Sequence, residues 1–167
     1  MRIRDVIRQL SRRLPRFPDR RINYRNSRIA PVVVIFVRYK DKILILKRSE
    51  KVRTYKGKWN VVAGYLDELK PIKEKVFEEL REEVGISPKI INQVSIKRAY
   101  KFTDRKSGRT WIVVTVLVEL KRKPKIKIDW EHTEYRWVKP EEALKFDTVP
   151  NFSISLKKAM GETYKNS

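Results

Sequence analysis

Two eight-residue apolar runs, at residues 30–37 and 111–118, constrain this chain more than any other feature. The first is continuous and rich in β-branched residues, with no polar position to turn toward water. A strand that is wet on one face alternates apolar and polar residues, whereas a strand covered on both faces does not. A sheet lying between two layers is therefore required, and the helical stretches between the strands are the candidates to cover it. Neither run approaches the ~20 residues that cross a bilayer as a helix, so no membrane span is expected.

The remaining pattern fills in that plan. Tyr39-Lys40-Asp41-Lys42 reads as a hairpin turn returning into residues 43–46, and a third strand is expected at residues 59–63. Residues 71–84 read as a helix, with Pro71 opening it and Gly85 closing it. Residues 90–102 and 110–120 read as one long antiparallel pair around a turn at residues 104–108. A short edge strand is expected at 126–128, a further strand at 135–138, a short helix opened by Pro140, and a closing helix at 152–160. The expected class is α/β, with a mixed sheet between helices.

Charge divides the chain. Of 167 residues, 41 are Lys or Arg and 20 are Asp or Glu, a formal charge of +21. Residues 1–28 hold ten Arg and no Lys, opposed only by Asp5 and Asp19. A boundary near Arg28 thus separates an Arg-rich helix and linker (1–28) from a domain (29–167). Ile3, Val6, Ile7, Leu10 and Leu14 fall at helical spacing before Pro15. That stripe would dock on the domain or on a dimer mate; an arm for nucleic acid or an anionic surface, or a disordered tail, are the alternatives. Cys is absent and His132 is the single histidine, which excludes disulfides, thiol nucleophiles, iron–sulfur ligation and His-based metal triads. Any metal would sit on oxygen. The expected location is cytoplasmic, and the Lys, Arg and Glu content is also that of a hyperthermophile protein.

The helix at 71–84 carries the chemistry. Seven of the 20 acids lie between Asp67 and Glu83, against the overall sign of the chain. On a wheel at ~100° per residue with Glu79 at zero, Ile72, Val76, Phe77, Leu80 and Val84 share one arc. Glu83 falls inside that arc at about 40°, and Glu82 at about 300°. Three carboxylates on one edge of a buried face repel one another and are costly to desolvate. A hard cation such as Mg²⁺ or Mn²⁺ removes both penalties. The alternative is a solvated acidic face paired with Lys73, Lys75 and Arg81.

Gly64, Glu79, Leu80, Glu82, Glu83, Gly85 and Ile86 stand at the spacing of the Nudix box, and residues 29–160 resemble the Nudix hydrolase family. Lys58-Trp59-Asn60 before the box and residues 131–138 after it resemble the family's flanks. The box usually has Glu where this chain has Lys70 and Arg where it has Glu78, a pair that commonly braces loop against helix; here both signs are reversed together.

The resemblance implies a Nudix-type α/β/α sandwich and a Mg²⁺- or Mn²⁺-dependent pyrophosphate hydrolase. It implies metal ligands at Glu79, Glu82 and Glu83, with a carbonyl from Ala63, and a catalytic acid or base at Glu131, with Glu134 its competitor. Gly64, Lys70, Glu78 and Gly85 would hold the scaffold. Candidate substrate contacts are Arg48, Lys58, Arg98, Lys101 and Arg109 for phosphate or ribose and Trp59, Tyr100, Phe102 and Trp111 for stacking a base. Asn151 is either a base contact or the cap of the closing helix, and His132 is read as a loop hydrogen-bonder. The expected substrate is a nucleoside diphosphate derivative: a nucleoside triphosphate or an ADP-ribose-like diphosphate first, a dinucleoside polyphosphate next. The second reading is a catalytically weak Nudix-fold module that binds RNA or DNA through its Arg-rich start, since so basic a chain attracts polyanions nonspecifically.

Overall fold

The computed structural model describes residues 2–161. The last six residues of the expected domain, 162–167, lie outside the described residues. In chain order the elements are α1 (Ile3–Arg13), β1 (Ile29–Tyr39), β2 (Lys42–Arg48), β3 (Trp59–Asn60), β4 (Val62–Tyr65), α2 (Ile72–Val84), a 3-10 turn (Pro88–Ile90), β5 (Ile91–Ile96), β6 (Tyr100–Thr103), β7 (Thr110–Leu120), β8 (His132–Val138), α3 (Pro140–Ala143) and α4 (Phe152–Met160).

The two apolar runs become the centre of one mixed sheet. β1 and β7 lie parallel from Ile29 opposite Thr110 to Arg38 opposite Glu119. Every other pairing is antiparallel: β1 with β2 and with β4, β2 with β3 and with β8, and β7 with β5 and with β6. Val33, Ile35 and Val37 are fully buried, and so is Phe36 on the alternate face, where it meets Phe152 of α4 at 5.7 Å between ring centres. The absence of polar alternation in β1 is thus explained by cover on both faces.

Three expected elements differ. The strand expected at 59–63 is split: β3 pairs with β2, Val61 intervenes, and β4 crosses to pair with β1. The strand expected at 90–102 is also split. Ile96 stands opposite Val116 but Tyr100 opposite Val113, so four steps on one side match three on the other. That extra residue is a bulge, and it separates β5 from β6. No strand forms at 126–128. Its Lys127 N–H instead donates to the Val84 carbonyl at 3.0 Å, tying the segment to the last turn of α2 rather than to a sheet edge.

The N-terminal helix packs into the same core. Val6, Ile7 and Leu10 are buried with the sheet residues, while Arg4, Arg8, Arg12 and Arg13 point to solvent. α1 ends where the Leu14 N–H donates to the Leu10 carbonyl and the backbone turns extended before Pro15. Among the described residues no helix is long and apolar enough to cross a membrane.

Leu10→Ala would remove a side chain that is 3 % exposed at this junction. A cost of about 2–4 kcal/mol is expected from lost burial and the cavity left behind, read as the urea midpoint at constant slope. A change under about 0.5 kcal/mol, as at surface positions, would mean that the helix is not part of the folded unit.

Candidate active site

The site begins with a close approach. The carboxylate of Glu79 lies so near the backbone of Gly64 that a β-carbon there would stand 2.5 Å from the Glu79 carboxyl carbon. No other residue fits without moving the acid, so the glycine leaves room for the Glu79 carboxylate against β4. The helix is then closed by Gly85, whose φ of 71° is readily adopted without a β-carbon. Its N–H donates to the Arg81 carbonyl and that of Ile86 to Leu80.

Glu78, Glu79 and Glu83 are all buried on α2, and Glu82 is exposed. They divide into two environments. At the first, Glu78 collects cations. Lys70 Nζ donates to its Oε2, Arg21 Nη2 to its Oε1 at 2.5 Å, and Lys75 Nζ stands 3.9 Å away. Burial pushes the Glu78 carboxyl up, but these three cations outweigh it and hold it below the usual range. Lys75 is itself buried, with Asp67 at 2.9 Å and Glu79 at 3.4 Å. Burial disfavours its charge, yet those neighbours keep the ammonium above its ordinary value.

At the second, carboxylates gather with far less compensation. Glu83 is 3 % exposed, and its Oε2 has no hydrogen-bond partner. Its Oε1 lies 3.8 Å from His132 Nε2. Ligand atoms of Glu83, Glu131 and His132 all fall within 4.8 Å of one another. Burial first, then a hydrogen bond and the charge from Glu79, then the charges of Glu131 and Asp129, drive the Glu83 carboxyl well up. Glu131 rises to about 7, by burial and then by Asp129 and Glu79, with Arg48 opposing. Glu82 is raised by partial burial and by Glu79 and Glu78. His132 is lowered by burial although Asp129 Oδ1 sits 3.1 Å from its Nδ1, so the ring is neutral at pH 7. The competitor Glu134 turns away and pairs with Arg136 at 2.9 Å.

Beside these acids opens a cavity of about 170 Å³. Arg48, Ala63, Gly64, Glu131, Tyr65, Trp111, Asn60 and Asn151 line it, with Val32 and Val34 of β1. Trp111 is fixed from behind by Arg109, whose guanidinium lies 4.5 Å over its ring and 5.8 Å over that of Tyr65. Arg109 also donates to the Tyr24 carbonyl at 2.7 Å. Two loops meet at the cavity: Arg48 Nε donates to the Thr54 carbonyl, and the Tyr55 hydroxyl donates to Asp104 at 2.7 Å.

Several expected contacts stand elsewhere. Trp59 is core, packed on Phe146 at 5.0 Å. Phe102 is half-buried opposite Trp111 in the β6–β7 pair and does not line the cavity. Tyr100 is bonded to Ser155 Oγ at 2.5 Å and reaches the cavity only through Asn151, whose Nδ2 donates to its hydroxyl at 3.3 Å. Asn151 occupies the cap position of α4 without making a cap bond. Lys58 pairs with Asp147. The residues that sequence reasoning passed over are Asn60, Tyr65, Thr54, Tyr55 and Arg21, which meet only through tertiary packing. Lys75 was read as a partner on a solvated acidic face, and it is buried.

Gly64→Ala is expected to push the Glu79 carboxylate off its seat. Divalent-metal uptake should fall at least tenfold while the urea midpoint changes little, because the added methyl meets a movable side-chain end. Unchanged uptake would remove Glu79 from the site.

Comparison with known proteins bears on the family and the fold. The family model of the NUDIX domain matches residues 28–158. The chain is 23 % identical over 111 residues to nucleoside triphosphatase NudI of Escherichia coli K12, covering 62 % of this chain and 77 % of that one. Among solved structures, the MutT protein from Methanosarcina mazei Go1 is 26 % identical with a TM-score of 0.66, covering 82 % of this chain and 96 % of its own. The NUDIX domain of Shewanella oneidensis NrtR complexed with ADP ribose has a TM-score of 0.67 at 15 % identity, covering 81 % and 88 %; that likeness speaks for the fold alone. With a family model that matches most of its length, the chain belongs to the Nudix family of pyrophosphohydrolases.

Proposed function

We propose that this protein hydrolyses a pyrophosphate bond of a nucleoside triphosphate or a related nucleoside diphosphate derivative, with a divalent cation held by Glu79, Glu82 and Glu83. The observation that carries the reading is Glu83: a buried carboxylate with an unpartnered oxygen, set beside His132 and beside Glu131, which itself lines the cavity. An isolated buried carboxylate is costly, and a hard cation with oxygen ligands relieves it. Donors of this kind fit Mg²⁺ or Mn²⁺, with Ala63 supplying a carbonyl. Such an ion supplies positive charge against the phosphoryl oxygens as negative charge develops on them.

The chain's own residues do the rest. Glu131 can accept a proton from the attacking water at its carboxylate, as a group titrating at about 7 suits a base near neutrality. Arg48, beside Glu131 and Glu83, would orient a phosphate. His132 is tethered to Asp129 through Nδ1, and its Nε2 stands 3.8 Å from Glu83 Oε1, beyond hydrogen-bond reach. Trp111 and Tyr65 offer faces for a nucleobase, and Asn60 and Asn151 offer edges that both donate and accept. The relative NudI, named a nucleoside triphosphatase, supports trying triphosphates, and the ADP ribose bound by NrtR supports trying ADP-ribose-like diphosphates beside them.

Two outcomes are expected. With Mg²⁺ and a panel of nucleoside triphosphates, ADP-ribose and dinucleoside polyphosphates, Glu83→Gln should lower turnover by at least a hundredfold in chromatographic product assays while the protein stays folded. Equal turnover would overturn the metal assignment, and silence from the wild type, with tight RNA binding at low salt, would favour the nucleic-acid-binding reading. The second concerns pH. Because Glu131 titrates at about 7 in the fold and near ~4.3 in an unfolded chain, the folded state holds its proton more firmly. Its contribution to stability therefore falls as pH rises through about 4.5 to 7 in metal-free protein. A divalent ion competes with that proton, so the rise in melting midpoint caused by Mn²⁺ should be larger at pH 8 than at pH 5.5, and Glu131→Gln should shrink the difference. An equal rise at both pH values in the wild type would count against Glu131 as part of the ion's surroundings.

A further inference from the structure

Residues 15–28, which join α1 to β1, lie almost wholly outside the NUDIX match, yet they are bonded to its signature loop. The Ile22 N–H donates to the Asp67 carbonyl at 2.9 Å and the Tyr24 hydroxyl to the Leu66 carbonyl at 2.7 Å. Between them, Arg21 reaches Glu78 through Nη2 at 2.5 Å and Glu68 through Nε at 3.4 Å, with Asp19 at 3.5 Å. Its guanidinium thus spans from the loop before α2 to the middle of the helix. Lys70 spans the same gap, touching Glu78 and standing 3.3 Å from Glu68.

Charge explains why two cations share the work. Asp67, Glu68, Glu78 and Glu79 crowd this end of the helix, and Lys70 and Lys75 alone would leave them half neutralised. An ammonium is a point charge, whereas a guanidinium is a planar fork that holds two carboxylates in fixed relation. The box position that usually bears Arg bears Glu78 here, so the guanidinium comes from outside the box. From Glu78 the contacts continue to Lys75 and from Lys75 to Glu79, whose other side lies on Gly64.

We propose that Arg21 is a positioning residue for the metal-binding helix: the N-terminal segment supplies in cis the guanidinium that the reversed Lys70–Glu78 pair lacks, and through Glu78 and Lys75 it sets the carboxylate of Glu79. This rests on the metal assignment of the preceding section. It also makes residues 1–28 part of the working site rather than an appended arm.

The test uses the full chain and reads Mn²⁺ affinity by calorimetry, with kcat and KM beside it. Arg21→Ala should weaken Mn²⁺ binding about tenfold and lower kcat by a similar factor, leaving KM within about twofold, as loss of a residue behind a metal ligand does. Arg21→Lys should recover part of the loss. Tyr24→Phe, which removes the bond to the Leu66 carbonyl but keeps the charges and the Ile22 bond to Asp67, should cost much less than Arg21→Ala. In the background Lys70→Glu with Glu78→Arg, where the helix carries its own guanidinium, Arg21→Ala should cost nothing. Unchanged affinity in Arg21→Ala, an equal loss in Tyr24→Phe, or an equal cost of Arg21→Ala in both backgrounds would each overturn the proposal. A wild-type protein that takes up no Mn²⁺ would overturn the metal assignment itself, and the positioning role with it.

Discussion

Three carboxylates buried on one thirteen-residue helix are the constraint on which the rest of this structure turns. Ionised acids out of water are tolerated when cations or hydrogen-bond donors meet them, and otherwise hold their protons. α2 does both in different places. Around Glu78 and Glu79 it recruits Lys70, Lys75 and Arg21, from the loop, from its own previous turn and from the N-terminal segment. One turn on, Glu83 finds His132 and the crowding of Glu79, Glu131 and Asp129. The compensated end is a brace. The uncompensated end, with Glu79 shared between the two, is where a cation would be held.

The sheet decides what stands next to those acids. Because β1 and β7 run parallel over ten paired positions, Val32 and Val34 come level with residues 113–115 of β7, two to four positions beyond Trp111 on the same strand. β4 lies antiparallel on the other side of β1 and carries Ala63, Gly64 and Tyr65 to the cavity wall. One strand thus delivers the backbone that seats Glu79 and the ring that faces Trp111. The partner change at Val61, which divides the expected third strand, is what lets Asn60 and Ala63 line one cavity while bonded to different neighbours.

Much of this was legible in residue order. The unalternating run at 30–37 demanded a covered sheet; Pro71 and Gly85 bounded the helix within a residue; the placement of Glu83 inside the apolar arc marked it for burial. These rest on local rules of period and backbone freedom. Reasoning failed where a side chain's surroundings come from distant segments. Trp59 and Phe102 read as well as Trp111 for stacking a base, because aromatic residues on strands look alike until the packing assigns them to core or cavity. Lys75 read as a surface partner because a charged residue is usually exposed.

The Arg-rich start shows the division most clearly. Its spacing of Ile3, Val6, Ile7 and Leu10 determined an amphipathic helix, and its charge determined that something acidic or aqueous must face the arginines. Which of them would leave solvent, and for what, was decided by the hydrogen bonds of Ile22 and Tyr24 to the loop at 66–67, which bring Arg21 alone against Glu68 and Glu78. Sequence by itself fixes periods, caps and the list of charges, since those depend on neighbours a few residues away. Tertiary structure alone pairs the charges, since each carboxylate answers to whatever lies within a few ångströms of it, however far along the chain.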